Sequence, residues 1–230
     1  MKKENILIKN IPAVIWGNRS DRVYLYVHGK MGSKEAAEGF AAIAEEMGYQ
    51  TFSFDLPGHG ERAADNERCD IWNGIRDLQA AAEYISDGWR EIDLFACSLG
   101  AYFSLNAYRD FNLNKCLFQS PIVNMEYLIG QMMKWFDISE ERLRREQEIE
   151  TPIDLMTWKY YRYVKTHPIK EWKFPTSILY GGRDNLQSAE VINEFAEKFG
   201  CRVTTAPECE HPFMAEGDEI LVEKWLRENI

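Results

Sequence analysis

The chain has 230 residues, 45% of them hydrophobic, enough to bury one substantial core, and no second composition regime calls for a separate fold. With a formal charge of -10, non-specific binding to nucleic acid or anionic membrane, which needs a basic patch to displace counterions, is not expected, and a small-molecule acyl substrate is. No run approaches the roughly 20 apolar residues of a membrane-spanning helix.

The opening "MKKENILIKN" carries two lysines, but Glu4, Asn5 and Lys9 break up any apolar core, so it is not read as a signal peptide. Strand "RVYLYVHG" (22–29) is almost continuously apolar, as expected of a strand covered on both faces. In "SKEAAEGFAAIAEEMGY" the residues Ala37, Phe40, Ala41, Ala44 and Met47 recur at helical spacing, which predicts one helix with Ser33 as its cap and Gly48 as its stop. Strand "QTFSFDLPG", helix "DIWNGIRDLQAAAEYIS", strand "EIDLFAC", helix "LGAYFSLNAYRDF" and strand "LNKCLFQSPIV" follow. Strand "PTSILYGGRD", helix "SAEVINEFAEKFG", strand "CRVTTAPE" and helix "GDEILVEKWLREN" complete the chain. This alternation predicts an α/β fold with a mostly parallel sheet flanked by helices.

Between the two halves, 121–173 is rich in helix formers and apolar rings, including Met125, Met132, Trp135, Met156, Tyr160 and Trp172. A solvated linker would not carry so much apolar surface, so the segment is expected to be a helical cap inserted into a core made of 1–120 and 174–230. A minority of its aromatics and methionines is expected to line a pocket. The five cysteines, Cys69, Cys97, Cys116, Cys201 and Cys209, are odd in number and lack a CxxC pair; reduced thiols in a cytoplasmic protein are expected rather than disulfides or a zinc knuckle.

The stretch "DLFACSLGAYFSL" joins a strand to a helix through "ACSLG". A serine exposed on such a tight turn needs small residues two positions either side, because neighbouring backbone comes too close for larger ones. Ala96 and Gly100 fill those places around Ser98, with Ala96 standing where the GxSxG pattern has glycine. Serine is a weak nucleophile without a base. Of four histidines, His28 ends a strand, His59 lies in "PGHGER" and His167 precedes a proline within the insert. His211 follows the final strand, at the sheet edge where Ser98 emerges, and is the expected base.

The acid that orients the imidazole is expected to be Asp184 in "YGGRDN", giving the order Ser, Asp, His; Glu208, Glu210 and Glu126 are its rivals. Oxyanion donors are expected from two backbone N–H groups, that of Leu99 after the nucleophile and that of Lys30 in the loop after "YVHG". No metal or organic cofactor is required, and the phosphate-loop, dinucleotide and HExxH patterns are missing from the sequence.

Together "VHGKMGS", "FDLPGHGER", "ACSLGA", "YGGRDN" and "EHPF" resemble the α/β-hydrolase family in content, order and spacing along nearly the whole chain. The resemblance implies an eight-stranded sheet whose first strands come from "ENILIKNIPAVIWGN". It also implies a triad of Ser98, Asp184 and His211 with Lys30 and Leu99 as oxyanion donors, while the loop holding His59 is structural. A modest cap resembles those of small esterases and acylglycerol lipases. The expected reaction is hydrolysis of a carboxylic ester with a small or medium apolar acyl or aryl group. Thioesterase, acyltransferase and small-peptide hydrolase share the same acyl-enzyme, and a non-catalytic ligand-binding protein is the alternative of another class.

Overall fold

The structure, a computed structural model, describes residues 1–230. In chain order its elements are β1 (Lys3–Ile8), β2 (Ile11–Trp16), β3 (Arg22–Val27), α1 (Glu38–Glu46), β4 (Gln50–Phe54), α2 (Ile71–Gly88), β5 (Glu91–Cys97), α3 (Leu99–Ala107) and β6 (Cys116–Gln119). Then come α4 (Met125–Trp135), α5 (Glu140–Glu146), β7 (Glu148–Glu150), β8 (Leu155–Thr157), α6 (Trp158–Thr166), β9 (Thr176–Gly181), α7 (Ala189–Phe199), β10 (Arg202–Ala206) and α8 (Asp218–Asn229).

Eight strands form one sheet in the order β1-β2-β4-β3-β5-β6-β9-β10, antiparallel from β1 through β2 to β4 and parallel elsewhere. The near-continuous apolar strands are explained by burial on both faces: in β3, Val23, Leu25 and Val27 join the core on one side, while Tyr24 and Tyr26 join Trp16, Phe40 and Phe95 on the other. The parallel strands end at a common edge. There Val27 pairs with Ala96 and Cys97 pairs with Gln119, so the loops after β3, β5 and β6 emerge side by side.

Two predicted helices are shorter than their sequence patterns. The segment expected as one helix from Ser33 to Gly48 starts as a 3₁₀ turn, Lys34–Ala37, that Ser33 caps, and becomes α-helical only at Glu38. The buried Lys34 explains the tight start, because its N–H and ammonium both reach the carboxylate of Asp55. The helix after Ser98 ends at Ala107, where the Tyr108 hydroxyl turns in to the Leu78 carbonyl. Between β6 and β9 the chain forms α4, α5 and α6 together with a two-stranded antiparallel hairpin, β7–β8, that the sequence pattern did not announce. No helix is long and apolar enough to cross a membrane.

Candidate active site

Ser98 sits between β5 and α3 with φ 50 and ψ -119, a backbone conformation that side-chain-bearing residues rarely adopt. The surroundings hold it there. A Cβ on Gly100 would lie 2.5 Å from the His28 carbonyl oxygen and 2.6 Å from that of Val27, so α3 packs against the end of β3 only because position 100 has no side chain. A Cβ on Gly29 would lie 2.9 Å from the Ser98 Cβ, so the loop after β3 runs directly over the serine. The Ser98 N–H donates to the Gln119 carbonyl and its carbonyl accepts from Ile122 N–H, which fastens the turn to β6. Ala96, fully buried in β5, meets the requirement for a small residue before the turn.

His211 and Asp184 arrive from the far side of the sheet. A Cβ on Gly181 would lie 2.6 Å from the Cys209 carbonyl oxygen, and one on Gly182 would lie 2.6 Å from that of Pro207, so the loop after β9 and the loop after β10 press backbone on backbone. Gly182 N–H donates to Ala206 and Arg183 N–H to Cys209 across this contact. Gln119 Nε2 donates to the Pro212 carbonyl at 2.9 Å and pins the histidine loop to β6.

Ser98 Oγ lies 2.7 Å from His211 Nε2, and His211 Nδ1 lies 2.8 Å from Asp184 Oδ2. The ionised carboxylate can only accept, so Nδ1 carries the proton and Nε2 is left with its lone pair facing the serine hydroxyl. The other oxygen of Asp184 accepts from Leu186 N–H at 2.8 Å and Gln187 N–H at 3.2 Å, which fixes the carboxylate plane. The imidazole bonds none of the rivals Glu208, Glu210 and Glu126: its Nδ1 goes to Asp184, Glu208 pairs with Arg183, and Glu126 lies in the first turn of α4.

Three further histidines do other things. His28 is buried, its Nε2 accepts from Leu56 N–H at 3.1 Å, and burial lowers its pKa to about 4. His59 holds the Pro57 carbonyl at 2.9 Å, and His167 stacks on Tyr163. Burial first, and then the charge of Asp184, raise the Cys97 thiol to about 12, and burial raises Cys69 to about 12 as well, so neither is a thiolate near neutral pH. Lys30 and Leu99 line the same cavity as Ser98. Leu99 opens α3 and has no carbonyl within the helix for its N–H, and the Lys30 N–H donates to no other group of the chain.

Two residues important to this arrangement carry no sequence motif. Gln187 is fully buried, accepts from Val123 and Asn124 N–H, and donates to the Asn124 and Leu186 carbonyls, tying the Asp184 loop to the entry of α4. Gln119 is the other. Their only sequence signal is a polar side chain at the end of a strand or beside a turn, and many surface residues share it.

The cavity at Ser98 measures about 130 Å³ and has a mainly apolar wall, including Met125, Met132, Trp135, Met156 and Tyr160 from the segment between β6 and β9. Met133, Trp158, Tyr161, Tyr163 and Trp172 of that segment lie elsewhere, as packing residues. No group of three His, Cys, Asp or Glu side chains is placed to hold a metal ion.

No protein-family model matches the sequence, nor does any curated protein. Solved structures do match. Est1E from Butyrivibrio proteoclasticus, bound to ferulic acid, is similar with a TM-score of 0.79 at 18% identity, over 98% of this chain and 96% of that one. The Pyrococcus furiosus esterase Pf2001 is similar with a TM-score of 0.70 at 19% identity, over 99% and 89%. Alpha/beta hydrolase domain-containing protein 10 from mouse gives 0.76 at 12% identity, over 99% and 98%. The chain has the α/β-hydrolase fold. In this α/β-hydrolase fold the loops after β3, β5, β9 and β10 bring together the five residues that the sequence pattern singled out.

Proposed function

We propose that this chain is a serine hydrolase that cleaves a carboxylic ester of a small or medium apolar acyl or aryl group, with 121–173 as a cap inserted into a core of 1–120 and 174–230. The observation that carries the reading is the relay from Ser98 Oγ through both imidazole nitrogens to Asp184, at 2.7 and 2.8 Å, on a strained turn. Ser98 Oγ attacks the ester carbonyl while its proton passes to His211 Nε2. Asp184 stays ionised and stabilises the imidazolium. The N–H groups of Lys30 and Leu99 receive the oxyanion, and collapse of the tetrahedral adduct expels the alcohol, which takes the proton from His211. Water then attacks the acyl-enzyme, giving its proton to His211, which returns it to Ser98 as the acid leaves.

The cavity volume supports the acyl class, since an engineered apolar cavity of about 150 Å³ holds benzene. The neighbour of like fold that holds ferulic acid supports an aryl acid within that class.

The test is a fluorophosphonate probe followed by intact mass and peptide mapping. One adduct on Ser98 is expected, with none in Ser98→Ala at a near-unchanged melting temperature. Folded protein without that adduct would leave the non-catalytic binding reading in place. Matched ester, thioester and amide substrates then order the remaining activities, with the ester expected fastest.

A further inference from the structure

The cavity beside Ser98 is small for a substrate. Pockets that bury most of an organic ligand run from about 300 to 1,000 Å³, and this one measures about 130 Å³. A second cavity, about 200 Å³, lies between the start of α4, the end of α6 and α7, with Val123, Val164, Val191 and Phe195 in its wall. Met125 belongs to the wall of both. It is the first residue of α4, 5% exposed, and no other side chain lines the two cavities together. Methionine suits a movable wall, because its unbranched thioether has three rotatable bonds and repacks at little cost.

We propose that Met125 is the partition between two acyl compartments, and that an acyl chain too long for the cavity at Ser98 turns past Met125 into the second one. The inference rests on the serine-hydrolase reading and extends its substrate class to esters of unbranched, medium-length acyl groups. The character of the second compartment sets what the chain's far end can be. Glu126 and Glu194 lie in its wall, neither in an ion pair, against the single ammonium of Lys198, which donates to the Ile169 carbonyl at 3.0 Å. That balance favours an uncharged terminus over a second carboxylate, which it would repel.

The experiment compares p-nitrophenyl butyrate with p-nitrophenyl octanoate, reading the ratio of kcat/KM between them in the parent protein and two variants. Met125→Ala removes the partition and should raise the octanoate to butyrate ratio by about tenfold, the effect of fewer than two added methylenes finding room. Val191→Trp fills the second compartment from α7 and should lower the same ratio by a similar factor. Melting temperature and fluorophosphonate labelling of Ser98 are recorded for all three proteins. If the variants fold and label like the parent while the ratio stays within twofold in both, the partition is refuted and the hydrolase reading stands. If the folded parent itself takes no label, the hydrolase reading fails and this inference falls with it. Should Met125→Ala not fold, a fall in the ratio for Val191→Trp still supports the second compartment, and an unchanged ratio there overturns it.

Discussion

At the scale of single residues, the glycines separate positions that the turn requires from positions that only tolerate glycine. Gly100→Ala would place a methyl 2.5 Å from a backbone oxygen, which neither α3 nor β3 can avoid by a rotamer change. It should cost about 3 kcal/mol or more, in the range of severe overpacking. Gly130, inside α4, has nothing within 4 Å of where a methyl would stand, so Gly130→Ala should gain about 0.5–1 kcal/mol from helix propensity alone. Urea midpoints of the two variants check this, and a Gly100→Ala protein as stable as its parent would mean that β3 and α3 are not packed as described. His28 supplies a second test. Its folded pKa of about 4 lies below the 6.5 of the free side chain, so between those values the unfolded chain binds more protons. The stability it contributes is therefore present above pH 6.5 and lost as pH falls towards 4, about 3 kcal/mol in all. The His28 imidazole resonances should titrate near pH 4; a midpoint above 6 would contradict its burial against Leu56.

At the scale of elements, most strands were legible because both faces are buried, and their apolar runs need no knowledge of the partner strand. The helix starts were less so. Ser33 does cap, but the turn behind it tightens to 3₁₀ around Lys34 for a reason that lies in Asp55, 21 residues away. Strands β7 and β8 have three residues each, too few for any period to show, and their pairing depends on the Thr151–Asp154 turn, where Thr151 Oγ1 accepts from Asp154 N–H. That hairpin reaches the site through Lys30, whose ammonium donates to the Ile153 carbonyl at 2.9 Å and pairs with the Asp154 carboxylate. Both partners are at least a third exposed, so the pair itself contributes less than about 1 kcal/mol. Its weight lies in position, since the same Lys30 is the proposed oxyanion donor. Asp154→Asn should move the melting temperature by no more than about 4 °C. Stopped-assay labelling of Ser98 should nevertheless slow about threefold, and the parent should approach the variant at high salt as screening loosens the pair. Equal labelling rates at all salt concentrations would show that the hairpin does not steady the loop.

At the scale of the whole molecule, the meeting of Ser98, Asp184 and His211 was legible from one topological rule, that parallel strands end at a shared edge. Distances of 113 and 27 residues along the chain vanish there. What fastens the loops to one another was not legible, because the bonds of Gln119 and Gln187 have no local pattern. The same holds for the ionic cluster under the loops after β3 and β4. Asp55, wholly buried, accepts from Lys34 N–H at 2.8 Å, Lys34 Nζ at 2.9 Å and Glu61 N–H at 3.0 Å. Beside it Arg62 donates to the Asp55 carbonyl at 3.0 Å and to the Asp77 carboxylate at 2.5 Å, joining α2 to the same knot. The two ends of the Lys34–Asp55 pair are not equivalent. Lys34→Met leaves Asp55 with two backbone donors, whereas Asp55→Asn turns one carboxylate oxygen into an NH2 donor, so that only one of the Lys34 and Glu61 N–H groups keeps its acceptor and the buried ammonium keeps only the exposed carboxylates of Glu35 and Glu61 as anionic partners. Breaking a buried pair from one side costs about 3–5 kcal/mol. Asp55→Asn should fall in that range and Lys34→Met below it. In the double variant the losses should not add, since the stranded ammonium is gone, and a coupling of about 1–3 kcal/mol is expected. Urea denaturation of the four proteins at one pH measures the cycle. Additive losses would mean that the two side chains act separately, and that the loops over Ser98 rest on something other than this pair.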